Sequence, residues 1–185
     1  MKKIFFYIFI FLIFSANSFS ATTKRDKDLN KLFEQLEKTS NSSVAFEIEI
    51  KIWKIWSTHP TNEELTNLLD FGSNLLSEGK LEQSHKIFSE IIKMEPNWAE
   101  SWNKRATALY LMGRYTESLK DINEVLKQEN RHFGALSGQG LVYIQLKQYE
   151  KAINSYKEAQ KIYPSIQSSD KMIPQLEELI RKEEI

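Results

Sequence analysis

Apolar side chains recur along this chain at the spacing of helices, and the helices themselves recur. Between residues 65 and 166 the same order of large and small positions returns every 34 residues. With Leu65, Ala99 and Phe133 as first positions, Leu68, Trp102 and Leu136 align, as do Gly72, Ala106 and Gly140. Leu75, Leu109 and Tyr143 follow, then Leu81, Tyr115 and Tyr149, then Ser84, Ser118 and Ala152. Phe88, Ile122 and Tyr156, then Ile91, Val125 and Ala159, lead to the closing Pro96, Asn130 and Pro164. Each unit therefore predicts an A helix, a tight turn and a B helix. The expected A helices end near Ser77, Met112 and Leu146. The expected B helices run over 81–94, 115–127 and 149–162. Gly79 and Gly113 suit a left-handed turn between them, and Lys147 holds that place in the third unit. Thr61 and Glu64 form a capping-box signature ahead of the first unit.

The small residues explain how paired helices meet. Gly72, Ala106 and Gly140 on the A helices, and Ser84, Ser118 and Ala152 on the B helices, let two axes approach closely. Large side chains such as Phe88, Ile122 and Tyr156 fill the flanks. Three glycines, Gly134, Gly138 and Gly140, weaken the third A helix by up to ~1 kcal/mol each relative to alanine.

The flanks of the repeated region read differently. Leu29, Leu32, Phe33 and Leu36 mark one face of a helix over 28–38. Residues 44–52 alternate as a strand does, but Val44, Ile48, Ile52 and Ile55 also fit a helix. Trp53 to Trp56 break the alternation, and no second strand-like segment offers a partner, so the segment is expected to be helical. Ser42 or Ser43 is its expected cap. The two helices form an expected hairpin over the first repeat's exposed end. Residues 169–183 present Ile173, Leu176, Leu179 and Ile180 on one side, as a closing helix for the last repeat requires. Pro174 fits best if that helix starts at the proline. The expected organisation is thus 21–60 as polar leader and helical hairpin, 61–166 as repeats (65–98, 99–132 and 133–166), and 167–185 as capping helix.

Residues 1–20 carry the marks of a secretory signal: Lys2 and Lys3, an apolar run from Ile4 to Phe14, then small residues with Ser18 and Ser20 set for a cut after Ser20. A periplasmic or secreted protein with no membrane attachment after cleavage is the expectation. The alternative is an inner-membrane anchor through 4–20, for which the apolar run falls short of the ~20 residues of a spanning helix. The chain has 25 basic and 25 acidic groups, and loss of Lys2 and Lys3 leaves 23 against 25, a net charge of −2. That balance gives no long-range pull toward nucleic acid or anionic membrane. There is no cysteine, hence no disulfide framework and no thiolate chemistry.

Residues 65–166 resemble three tetratricopeptide repeats. Leu136, Gly140, Tyr143, Tyr149, Ala152, Tyr156, Ala159 and Pro164 carry the likeness most fully. The segments Trp98–Thr107 and Arg131–Gly138 are similar to short exported tetratricopeptide proteins of alphaproteobacteria. The resemblance implies an all-α solenoid of helical hairpins with an N-terminal hairpin and a C-terminal capping helix. It implies protein–protein interaction, with a protein or peptide partner and no catalytic residues. Arg105 and Gln139 depart from the pattern, which has an apolar residue there.

By position in that family, a concave groove is lined by Leu69, Ser73 and Leu76 from the first repeat, Asn103, Thr107 and Tyr110 from the second, and Ser137, Leu141 and Ile144 from the third. Some relatives grip a peptide's terminal carboxylate with Lys and Asn; Leu69 and Ser73 stand where such a clamp would begin. A neutral, partly apolar extended segment is the expected ligand, with Asn103 bonding its backbone. Packing against neighbouring helices is the alternative role for Leu69, Leu76, Leu141 and Ile144. Self-assembly without a peptide in the groove is the alternative function, so a homo-oligomer stays open. His59, His85 and His132 share no ligand spacing and read as isolated surface residues, and Gly138-Gln139-Gly140 follows no strand. No cofactor, metal or enzymatic activity is expected.

Overall fold

A computed structural model describes residues 24–183, and the expected signal segment lies outside them. Nine helices and no strand occur among the described residues. Residues 24–38 form α1, Ser42–Ser57 α2, Glu63–Ser77 α3, Leu81–Met94 α4, Ala99–Leu111 α5, Tyr115–Gln128 α6, Phe133–Gln145 α7, Tyr149–Ile162 α8 and Gln167–Glu183 α9. From α3 onward each helix packs on the next, giving a solenoid of three hairpins and a final helix.

Each hairpin is turned by the same device. The amides of Lys80, Arg114 and Gln148 reach back to the carbonyls of Leu75, Leu109 and Tyr143 at 2.8–2.9 Å, the long bond of a Schellman turn. The residue before each lies in the left-handed region: Gly79 and Gly113 at φ 74° and Lys147 at φ 56°. Lys147 thus takes the glycine conformation with a side chain attached.

Close approach of A and B helices is visible at two levels. A Cβ on Gly72 would stand 2.6 Å from Phe88 Cε1, and one on Gly140 would stand 2.7 Å from Tyr156 Cε2. Ser84 and Ser118 donate to the carbonyls of Gly72 and Ala106 at 3.0 and 2.8 Å, so the small residues bond as well as make room. The polar departures are also paired. Arg105 grips Asp121 with two bonds of 2.7 and 2.8 Å and reaches Ser89 of the preceding hairpin, while Gln139 accepts from Ser155. Phe71 holds the same place in the first repeat. Among the described residues no hairpin packs over it, and it is 52% exposed.

The N-terminal hairpin does not cover that end. Leu29, Phe33, Leu36, Ala45, Ile48, Ile52 and Trp56 share one core with Phe133, Leu136, Ala159, Tyr163 and Ile166 of the third repeat. The hairpin therefore crosses the array and docks on its far part, because the aromatic cluster lies there. Glu49 fixes it, accepting from Trp53 of its own helix and from the Tyr163 hydroxyl, both at 3.2 Å. Burial and the nearby Glu49 carboxylate push the Tyr163 hydroxyl up to about 12. Arg131 adds a bond to Asn30 and lies over the Phe33 ring.

Several local expectations are corrected. Residues 24–27, read as part of a polar leader, are helical. Asn41 caps α2 in place of Ser42 or Ser43, and Asn62 caps α3 in place of Thr61. His59 Nδ1 accepts from the amides of both Thr61 and Asn62, which moves the helix start one residue on. Pro174 lies inside α9, which starts upstream at Gln167. Leu176 is buried against α8 with Met172, Ile173 and Ile180 beside it, whereas Leu179 is 37% exposed. In α2, Ile48 and Ile52 are buried but Val44 is exposed, which is how one segment satisfies a helix while alternating like a strand.

Candidate peptide-binding groove

The nine groove positions fall into separate environments. Leu69 is fully buried with Leu65, Phe88, Ile91 and Trp98, and Leu76 packs on the same cluster. Ser73 spends its hydroxyl on the Leu69 carbonyl at 2.8 Å. Leu69 and Leu76 thus both contact this core, and the first repeat contributes no residue to the cavity described next. Ser137 meets Ser168 at 3.2 Å and so is tied to the start of α9. Ile144 packs against the core that α9 closes.

Asn103, Thr107, Tyr110 and Leu141 do come together. They line a notch of about 70 Å³ between α5 and α7, with Ala106, Ser118, Ile122, Gly134, Ala135 and Gly138 behind them. Thr107 is exposed and Leu141 is 40% exposed, so the notch opens to solvent. Gly134 and Gly138 were not in the sequence-based set. Their spacing of four residues, one turn of helix, was the signal for a shared face.

Most of the polar groups beneath the notch are already committed, Glu100 Oε1 being without a hydrogen-bond partner. Asn103 Nδ2 donates to Glu100 Oε2 at 3.2 Å, which leaves the side-chain Oδ1 of Asn103 as its group for a bound main chain. Thr107 donates to the main-chain carbonyl of Asn103. Glu100 is fully buried and also meets His132 Nε2 at 3.1 Å, with Lys104 at 3.5 Å from its other oxygen. His132 Nδ1 accepts from the Ala135 amide and so caps α7; the proton therefore sits on Nε2 and is donated to Glu100. Trp56 of the N-terminal hairpin stacks on the His132 ring at 3.9 Å and 7°.

His132 is thus a buried structural group and His59 a half-buried one, against the expectation of surface residues. His59 lies edge-on to Trp98 beside a second cavity of about 380 Å³, lined among others by Arg25, Trp56 and Glu95. Burial pushes the His59 imidazole below its usual range, and Glu95 only partly offsets this. Among the described residues no three His, Asp or Glu side chains gather as a metal site, and no helix is long and apolar enough to cross a membrane.

Comparison with known proteins agrees with this architecture. Two models of the tetratricopeptide repeat match residues 69–128 and 134–166. A TPR repeat-containing protein of Rhizobium etli is 28% identical over 159 residues, spanning 86% of this chain and 78% of that one. The first TPR of Spaghetti (RPAP3), bound to the HSP90 peptide SRMEEVD, superposes with a TM-score of 0.62 at 15% identity, covering 64% of this chain and 94% of that one. The TPR2B domain of yeast Sti1 in complex with pHsp70 gives 0.59 at 20% identity, covering 66% and 99%. Period, paired helices and repeat matches together place the chain in the tetratricopeptide repeat family.

Proposed function

We propose that this chain is a non-catalytic interaction module that holds an extended, neutral to partly apolar peptide segment in its concave groove, in the periplasm. The observation that carries the reading is the solvent-open notch of Asn103, Thr107, Tyr110 and Leu141, which offers apolar surface and neutral polar groups together. Glu100 and Lys104, the charged groups beside it, pair with each other. The peptide SRMEEVD held by the first TPR of RPAP3 supports a peptide as the kind of ligand. Its acidic residues do not suit a neutral notch. The lysine pair and small-residue run of residues 1–20 support export.

The test is binding of end-blocked uncharged peptides, compared with SRMEEVD, by fluorescence anisotropy. Uncharged peptides are expected to bind, and replacing Tyr110 and Leu141 with alanine should weaken them at least about tenfold. Equal binding by the double variant, with its helix content intact, overturns the groove as the site. Fusing residues 1–25 to a reporter active only after export tests the compartment; an inactive reporter removes the periplasm from the reading.

A second reading rests on Phe71. Among the described residues the first repeat's outer face is uncovered where later repeats are covered by the preceding hairpin. Stacking of copies through that face would make the chain an assembly subunit. Light scattering would then show mass rising with concentration, and Phe71→Ser would abolish the rise.

A further inference from the structure

We infer that the notch between α5 and α7 is a subsite for one small aliphatic side chain, of alanine or valine size, on the extended peptide proposed above; the inference rests on that groove reading. It begins with a glycine that helix packing does not require. Four glycines lie inside helices, and three of them are sterically obliged. Gly72 and Gly140 face Phe88 and Tyr156 at hard contact, and a Cβ on Gly134 would run into the Trp53 ring. Gly138 is different. The nearest atom to a Cβ there is Ile122 Cδ1 at 4.0 Å, an ordinary contact. Glycine inside a helix is unfavourable relative to alanine. Nothing in the packing of α7 on its neighbours requires a glycine at this position, and its missing side chain has one visible consequence, which is the open floor of the notch.

Size and charge then select the occupant. The notch measures about 70 Å³, well below the ~150 Å³ of a cavity that takes up benzene. It therefore suits a short aliphatic side chain better than leucine or phenylalanine. Ala106, Ile122 and Ala135 give an apolar floor, with Leu141 at the mouth. Lys104 and the fully buried Glu100 pair beside it, so an uncharged side chain is matched. The side-chain Oδ1 of Asn103 at the rim accepts an N–H from the main chain that carries the side chain.

Gly138→Ala separates this subsite from mere looseness of α7, because it acts in opposite directions on stability and binding. Its methyl enters open space in a helix, so the melting temperature should rise by about 2–4 °C. The probes are end-blocked nine-residue peptides of Gly, Ser and Asn with Gly, Ala, Val, Leu or Phe at the centre, titrated by calorimetry, and xenon under pressure followed by amide chemical shifts. In the unchanged protein, xenon should move the amides of Gly134, Gly138 and Leu141. Ala and Val peptides should bind more tightly than the Gly peptide, and Leu and Phe peptides should gain nothing further. In G138A the xenon shifts should vanish, and the Val peptide should lose about fourfold for each methyl group excluded, while the Gly peptide is unchanged. Peptides that bind without side-chain preference, or a Val preference that survives in G138A, overturn the subsite and leave the groove standing. Failure of every peptide to bind overturns both.

Discussion

His132→Ala is the substitution that best tests how the N-terminal hairpin is held. The imidazole is fully buried and joins three partners at once. It caps α7 through the Ala135 amide at 3.0 Å, donates to Glu100 at 3.1 Å, and carries the stacked Trp56 ring. Loss of a cap costs ~1 kcal/mol. Loss of an aromatic stack costs about 1 kcal/mol. A buried carboxylate deprived of a donor adds about 1.5–3 kcal/mol. The expected destabilisation is therefore about 4 kcal/mol, much of the whole for a domain of ordinary stability. In urea at ~2 kcal/mol per molar, the midpoint should fall by about 2 M. Tryptophan fluorescence should report release of Trp53 and Trp56 at lower urea than far-UV circular dichroism reports loss of helix. Glu100→Gln supplies the control. A glutamine oxygen still accepts the Nε2 proton, so this variant should cost less than half as much. Equal cost for the two variants would mean that opposite charges hold the pair together, and the assignment of the proton from the Ala135 bond would be refuted. A loss below about 1 kcal/mol in His132→Ala would refute the latch itself.

Lys147→Gly relieves a side chain held at φ 56° and should stabilise the chain by about 0.5–1 kcal/mol, seen as a raised urea midpoint. Gly140→Leu drives a side chain into the Tyr156 ring and should cost about 1–3 kcal/mol by the same measurement, with more if α7 and α8 are forced apart. Arg105→Ala strands the Asp121 carboxylate, which is 5% exposed, and should cost about 3 kcal/mol, whereas replacing both residues by apolar ones should recover most of it. His59 titrates below its unperturbed 6.5 because it is buried, so the unfolded chain binds its proton first. Its contribution is full above 6.5 and declines as pH falls from there through the lower folded value. Urea midpoints measured between pH 7.5 and 5 should fall accordingly, and His59→Asn should flatten that part of the profile.

The likeness of this chain to itself made the repeats legible. A period of 34 residues with small positions facing large ones is a local property, repeated, and each B helix starts within the residue that the pattern marks. Caps were legible to within a residue or two. What moved them was a competing acceptor, as when His59 Nδ1 took the amides of Thr61 and Asn62, the first of which a capping box would have given to Glu64. The groove was only partly legible, because the repeat assigns a face to each position without saying what already occupies it. Leu69 and Ile144 point toward the array's interior surfaces and are consumed by its cores, while Gly134 and Gly138 carry no side chain for a pattern to register.

By itself, the sequence determined the helices, their pairing and the order of the modules, since these follow from contacts within about one repeat. Tertiary structure decided where the hairpin of α1 and α2 docks. Its apolar faces suit any uncovered apolar surface, and the choice of the third repeat depends on Trp53, Trp56, His132 and Phe133 meeting across more than seventy residues of chain. Such contacts have no period to betray them. Among the described residues they leave Phe71 exposed, while the notch where the function is proposed to lie is lined by α5, α6 and α7.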